Sequence, residues 1–329
     1  MTTLRLCHNQ TEWDDYVLEN SGHPLQLWGW GELKTAHGWE ADRLLLRDDE
    51  DQVIGAVQVL IRKLPWPLKS FAYVPRGPIV DPNNRSEMLE LLADYVRRAH
   101  SSVTVAVEPD SIDFSVPKGW KKSRNHILPA RTISIDLNKP EPEILSDMDN
   151  QTRRYIRKST AEGTRVKMVH SKEDLDACLA IYQETSKRAK FDLHSNQYYT
   201  DVFYKMGDYS PIFAAYAGDQ IVAFLWLAIS ADVAFEFYAG INEEGRKLNA
   251  NHILKWHAIR KCKEWGLSRY DFGGLVKGGV ETFKLGWAKD VTELAGTFEK
   301  PLSKTHFIWS HGLPTAKKVA RRIKKIIRH

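Results

Sequence analysis

Along this chain the period of apolar positions switches between about two and about 3.6 residues, and the order of the switches occurs twice. In the first half the spacing predicts a tryptophan-rich helix over 27–37 and strands over 41–47 and 53–64. A helix over 86–100 and a strand over 103–107 follow. In the second half it predicts helices over 172–187 and 196–205, then strands over 212–217, 221–229 and 234–241. A helix over 249–264 leads into a strand over 269–272. Each half therefore reads as helices, an antiparallel meander, a helix and one more strand, an α+β order rather than a parallel βαβ series.

A local repeat supports the duplication. "DEDQVIGAVQVLI" (49–61) and "YAGDQIVAFLWLAI" (216–229) both carry Asp-Gln followed by an aliphatic run, and Asp51 and Asp219 lie 168 residues apart. That offset is about half the chain, as tandem domains require. Between the halves, Pro140 and Pro142 break the chain, and 143–161 then reads as a basic helix. The expected organisation is a first domain over 1–143, a second over 144–300 and a basic C-terminal tail over 301–329.

Length and composition narrow the class. A chain of 329 residues, 43% hydrophobic and 27% charged, is a globular protein of two domains. Cys7, Cys178 and Cys262 have neither disulfide-framework nor zinc-ligand spacing, which fits a reducing cytoplasm and no metal centre. No signal-like leader and no apolar stretch of about 18 residues is present, so neither Sec-type export nor a membrane span is expected. The net charge of +5 is uneven, since seven of the twelve residues from Lys317 to Arg328 are Lys or Arg. Val319, Ile323, Ile326 and Ile327 recur there at helical spacing, which predicts a tail helix with a narrow apolar stripe and a basic remainder. Anionic lipid and transfer RNA are both candidate partners for it.

The glycine-rich stretch "DFGGLVKGGVETFKLGW" (271–287) fits neither familiar phosphate-binding pattern: Gly278 is followed by Gly279 rather than Lys, and Leu275 stands where GxGxxG needs glycine. The order of elements resembles the acyl-CoA N-acetyltransferase (GNAT) fold used twice. In that fold a glycine turn before a helix holds the pyrophosphate of CoA. Here that turn reads "RKLNANHIL", with Asn249 and Asn251 where glycines would stand. Ordinary CoA binding is therefore not expected.

Tandem GNAT order without a CoA turn resembles the Fem-type (FemABX) aminoacyl-tRNA-dependent peptidyltransferases. The resemblance is carried in order by "LQLWGWGELKTAHGW" (25–39), "YVPRGPIVD" (73–81), "TRRYIRKSTAEGTRV" (152–166), "TSKRAKFDLHSNQYY" (185–199), "FEFYAGIN" (235–242), "NHILKWHAIRKCKEWGLSRYDFGG" (251–274) and "ETFKLGW" (281–287). It lacks the coiled-coil arm of longer members, because residues 175–204 are too few to hold one.

The resemblance implies a cytoplasmic enzyme that moves an amino acid from its tRNA onto the stem-peptide amine of a peptidoglycan precursor, either the UDP-linked or the lipid-linked form. Aminoacyl-tRNA is then a co-substrate, and no CoA or metal cofactor is implied. Lys284, preceded by Phe283, matches the pair that meets the aminoacyl end, with the ammonium facing the developing oxyanion. Lys34 and Arg188 match the positions that hold the acceptor diphosphate. Glu108 matches an acidic position able to take the amine proton, though Asp-Pro is commoner there than this Glu-Pro. Trp28, Tyr73 and Tyr238 are candidates to line the precursor groove, and Trp30 reads as core. Arg76, between Pro75 and Gly77, is either a ligand contact or a structural ion pair. Two other classes stay open: an acyl-CoA N-acyltransferase acting on a small amine, and a non-enzymatic basic module that binds nucleic acid or membrane.

Overall fold

The computed structural model describes residues 2–123, 125–275, 278–288 and 290–312. Its strands in chain order are β1 (Thr3–Leu6), β2 (Glu40–Arg47), β3 (Val53–Lys63), β4 (Ser70–Pro75), β5 (Ile79–Val80), β6 (Ser102–Glu108), β7 (Lys121–Lys122) and β8 (Arg131–Asp136) in the first part of the chain. Then come β9 (Arg165–Met168), β10 (Ile212–Ala217), β11 (Gln220–Ile229), β12 (Val233–Ile241), β13 (Arg269–Asp271), β14 (Val291–Glu293) and β15 (Phe298–Pro301).

These strands build two sheets of matching topology. One runs β1-β2-β3-β4-β6-β15-β7, with β5 paired to β3; the other, taken in the same direction, runs β9-β10-β11-β12-β13-β8-β14. In each, a single parallel pair, β4 with β6 or β12 with β13, interrupts antiparallel neighbours. The α+β expectation and the duplication both hold.

The chain does not divide at residue 143. Among the described residues, one compact unit falls within 2–16, 34–130 and 294–312, the other within 17–33 and 131–293. The reason is a reciprocal exchange of strands. β8, from the end of the first half, pairs with β13 in the second sheet, while β15, from the end of the second half, pairs with β6 in the first. The helix expected over 143–161 is also two helices, Glu141–Asp147 and Asn150–Ala161. Met148 is buried between them, and the Asp149 carboxylate caps the second by accepting from the Thr152 amide. Of the tail expected over 301–329, residues 301–312 are described; the basic helix read from residue 317 onward lies outside the described residues.

Against each sheet packs a helix whose buried residues recur at helical spacing. In the first unit the helix Arg85–His100 turns Met88, Leu89, Leu92, Ala93 and Val96 onto Val57, Val59, Val74 and Val105. Each such side chain contributes about 1.5–3 kcal/mol on burial. In the second unit the helix Ala250–Glu264 is buried on more of its circumference, through Leu254, Trp256, Ala258, Ile259 and Cys262. It holds one charged residue in that buried set, Lys255.

Candidate active site

In the second unit, β12 and β13 share ladder positions only from Val233/Arg269 to Phe235/Asp271. Beyond them β12 runs on to Ile241 with a ladder partner only in β11 among the described residues. Phe237 bulges out between the partner pairs Tyr238/Trp226 and Glu236/Leu227. The chain leaving β13 turns away through Gly273 and Gly274, at φ +76° and +99°. A Cβ on Gly273 would lie 2.4 Å from the Glu236 carbonyl oxygen, so only glycine lets the backbone pass there. The buried Asp271 carboxylate fixes the turn, accepting from the Gly273 amide at 2.8 Å and from the Thr132 hydroxyl at 2.6 Å.

This turn delivers Lys284. The short helix Gly279–Leu285 carries Lys284 in its last turn, and its half-buried ammonium donates to the Phe272 carbonyl and, at 2.8 Å, to that of Gly274. The glycine-rich stretch therefore shapes a turn whose carbonyls hold one lysine. Phe283 packs against His252, with ring centroids 5.2 Å apart, and against Trp287 at 6.0 Å. Gly286 is needed for the close approach of Asp149, whose amide donates to the Gly286 carbonyl at 2.9 Å; a Cβ there would meet the Asp149 carboxylate at 2.9 Å.

Beneath these residues lies a buried ion pair that the sequence reading did not single out. The Lys255 ammonium pairs with Glu236, with side chains 6% and 8% exposed, and the Tyr270 hydroxyl donates to the same carboxylate at 2.7 Å. Phe272, Phe283 and Trp287 surround the ammonium at 4.7, 5.7 and 5.9 Å. Burial lowers the pKa of Lys255 and the positive charge of Lys284 lowers it further, against the raising effect of Glu236. His252, stacked on Trp287 and tilted against Tyr155, is pushed down to about 4, chiefly by burial, and stays neutral at physiological pH. The signal was in the sequence: Lys255 falls in the apolar stripe of its helix, and Glu236 interrupts an aromatic strand.

The other second-unit candidates lie along β12. Tyr238 is packed among Tyr182, Tyr199 and Trp226, with centroids 5.1–5.7 Å away, and burial raises its pKa well above the usual tyrosine value. Arg188 ends the helix Lys172–Ala189. It donates to the Ile241 carbonyl at 3.1 Å and faces Glu184 at 3.8 Å, with about a third of its side chain exposed. Trp28 is half-buried, and Trp30 is core, its ring 5.5 Å from Phe237.

In the first unit the end of the parallel pair is closed. β4 and β6 stay in register to Pro75/Glu108. The Glu108 carboxylate is 2% exposed and accepts from the Tyr73 hydroxyl, from the Ile127 and Leu128 amides at 2.8 and 3.1 Å, and from the Thr297 hydroxyl at 2.7 Å. Four donors occupy both oxygens, so Glu108 anchors the 127–128 loop and has no lone pair left to take an amine proton. Tyr73 is likewise buried in that network rather than lining a groove. Arg76 is buried at φ +52° and donates to the Pro129 carbonyl at 3.2 Å; it makes no ion pair among the described residues. Lys34, half-buried near the end of the helix Trp28–Ala36, has its pKa lowered to about 8 by burial and by the Arg62 guanidinium.

The FemAB family model matches residues 9–115, and an acetyltransferase (GNAT) domain model matches residues 146–285, one on each half of the duplication. Over its first half the chain is thus similar to the FemAB family. Among curated proteins it is similar to the lipid II:glycine glycyltransferase of Staphylococcus aureus (strain MRSA252), 28% identical over 272 residues, covering 77% of this chain and 61% of that protein. It thus spans less than two thirds of that relative's length. Among solved structures, the crystal structure of FemX superposes with a TM-score of 0.82 at 19% identity, over 94% of this chain and 99% of that one. A tandem GNAT protein from the clavulanic acid biosynthesis pathway gives 0.52 at 11% identity, over 92% and 99%. These two show that the chain has the tandem GNAT fold.

Proposed function

We propose that this protein transfers an amino acid from aminoacyl-tRNA to the stem-peptide amine of a peptidoglycan precursor, and so builds an interpeptide bridge. The observation that carries the reading is Lys284, held by two carbonyls of a glycine turn where the parallel strands of the second unit part. The relatives named lipid II:glycine glycyltransferase favour a lipid-linked acceptor and a peripheral position at the cytoplasmic membrane face. No helix of the described residues is long and apolar enough to cross a membrane.

Aminolysis of the ester needs a neutral amine and a donor for the tetrahedral oxyanion. Lys284 is the donor: its ammonium exchanges a carbonyl for the oxyanion as charge develops. Phe283, backed by His252 and Trp287, packs against the aminoacyl end. Lys34 offers a point charge to the acceptor diphosphate, and Arg188 is a second cation able to bind a phosphate as a fork. The saturated carboxylate of Glu108 gives it a positioning role only. CoA is disfavoured at the corresponding helix start, which reads Lys-Leu-Asn-Ala-Asn without a glycine, although Asn249 takes the left-handed conformation at φ +52°.

The test is incubation with mixed charged tRNA and with both UDP-linked and lipid-linked precursors, mass spectrometry reading the added residue. A precursor heavier by one or more amino-acid residues is expected. Acylation from acyl-CoA without tRNA would replace this reading.

A further inference from the structure

Residues 63–69 read Lys-Leu-Pro-Trp-Pro-Leu-Lys, a sequence symmetric about Trp66. They join β3 to β4 in the first unit. Trp66 is 90% exposed, although an indole is normally among the most buried side chains on average. The connection is closed rather than loose: the Leu64 amide donates to the Lys69 carbonyl at 2.7 Å and the Leu68 amide to the Pro65 carbonyl at 3.0 Å. Proline on each side of Trp66 removes two backbone donors from the apex, so it presents few polar groups that need water.

Charge frames this apex. Lys63 and Lys69 flank it, and no Asp or Glu occurs in the sequence between Asp51 and Asp81. Lys63 reaches Glu40 at 2.8 Å, but its side chain is 84% exposed, and such a surface pair is weak. A second apolar surface adjoins the start of β4. Trp309 stacks on Phe71 with centroids 4.6 Å apart, and next to it in sequence Ile308 is 48% exposed.

We propose that the loop 64–68 is a membrane-contacting element, which seats Trp66 among the headgroups of an anionic bilayer with Lys63 and Lys69 against lipid phosphates. Tryptophan favours that depth, and lysine beside it gains from the negative surface potential. The purpose of the contact, reach to a lipid-linked acceptor, rests on the function proposed above; the contact itself does not.

The test uses the full chain and sedimentation with phosphatidylcholine vesicles, with and without phosphatidylglycerol. Trp66→Ser should lower binding to the anionic vesicles by roughly tenfold, the worth of one large apolar side chain. Lys63→Gln and Lys69→Gln should each lower it by about fivefold at low salt, and by less as salt is added. Bromine-labelled lipid should quench the tryptophan fluorescence of the parent more than that of Trp66→Phe. Thermal melting and transfer to a soluble precursor should be unchanged in Trp66→Ser. Unchanged vesicle binding in that variant overturns the proposal, and so does a loss of tRNA retention in place of a loss of vesicle binding. If the parent transfers to neither precursor, the function reading fails while the vesicle result stands.

Discussion

The two sheets share one topology and differ where their parallel strands end. In the first unit the pair runs from Ser70/Ser102 to Pro75/Glu108 and is then sealed by a carboxylate with four donors. In the second it stops after Phe235/Asp271, and β12 continues six residues, from Glu236 to Ile241, beside glycine backbone and Lys284. Both β6 and β13 end in a buried acid bonded to a threonine of the neighbouring chain segment: Glu108 with Thr297, just before β15, and Asp271 with Thr132 of β8. One inherited framework has thus been closed in one copy and left open in the other. Under the proposed function, we place the acyl-transfer chemistry in the second unit and give the first a binding and supporting part.

The largest expected effect falls on the ion pair under the open end. Lys255→Met should destabilise the second unit by about 3–5 kcal/mol, because it strands the Glu236 carboxylate in a buried site; the double variant with Glu236→Gln should recover much of that loss in a denaturant titration. A single variant as stable as the parent would mean that the pair contributes nothing.

Next comes the reaction itself. Lys284→Met should lower kcat by about 10²–10³-fold, the usual worth of one oxyanion donor, with little change in precursor affinity. Turnover that survives at saturating substrates would remove Lys284 from the chemistry.

In the first unit the effects should be smaller and should concern binding. Lys34, with a pKa of about 8, is mostly cationic at neutral pH and loses its charge as pH rises through that value. The KM for a diphosphate-bearing precursor should therefore rise by up to about tenfold between pH 7 and 9, following the lost charge. Lys34→Arg, which keeps its charge, should flatten that profile; a KM that rises equally in the variant would assign the titration to another group.

The smallest effect tests the closure of the first unit. Glu108→Gln leaves one acceptor oxygen and turns the other into an NH2 that faces a hydroxyl and a backbone amide, so stability should fall by about 1–3 kcal/mol while kcat stays within about threefold of the parent. A collapse of kcat comparable with that of Lys284→Met would restore Glu108 as a proton acceptor and break the contrast between the two ends.

Much of the fold was legible because it follows local periodicity. The helix Arg85–His100 shows its stripe plainly, and β11 follows an Asp-Gln turn that β3 shares. β4 escaped assignment as a strand because all six of its residues are buried and show no alternation. β8 and β15 escaped because short strands are specified by distant partners, and no local pattern names the partner. Lys284 could be singled out through its motif, since a lysine after a glycine-rich turn is conspicuous. Lys255 and Glu236 are not legible as a pair, because their meaning depends on each other and they lie 19 residues apart on different elements. Glu108 was visible as a strand-end acid; its four donors come from residues 19 to 189 positions away, which no spacing rule could supply.

The exchanged strands have a consequence for the order in which the protein can be made. β15 lies between β6 and β7, so the sheet begun by the first residues to be synthesised stays incomplete until residue 301 is available. β8, synthesised early, must wait more than a hundred residues for β13. A ribosome therefore carries a half-built first sheet for most of translation, and contacts of such long sequence separation slow the final closure. Severing the chain near residue 143 would leave each fragment holding a strand that belongs to the other, so that neither piece would be a domain and the two would recover the fold only by complementing one another.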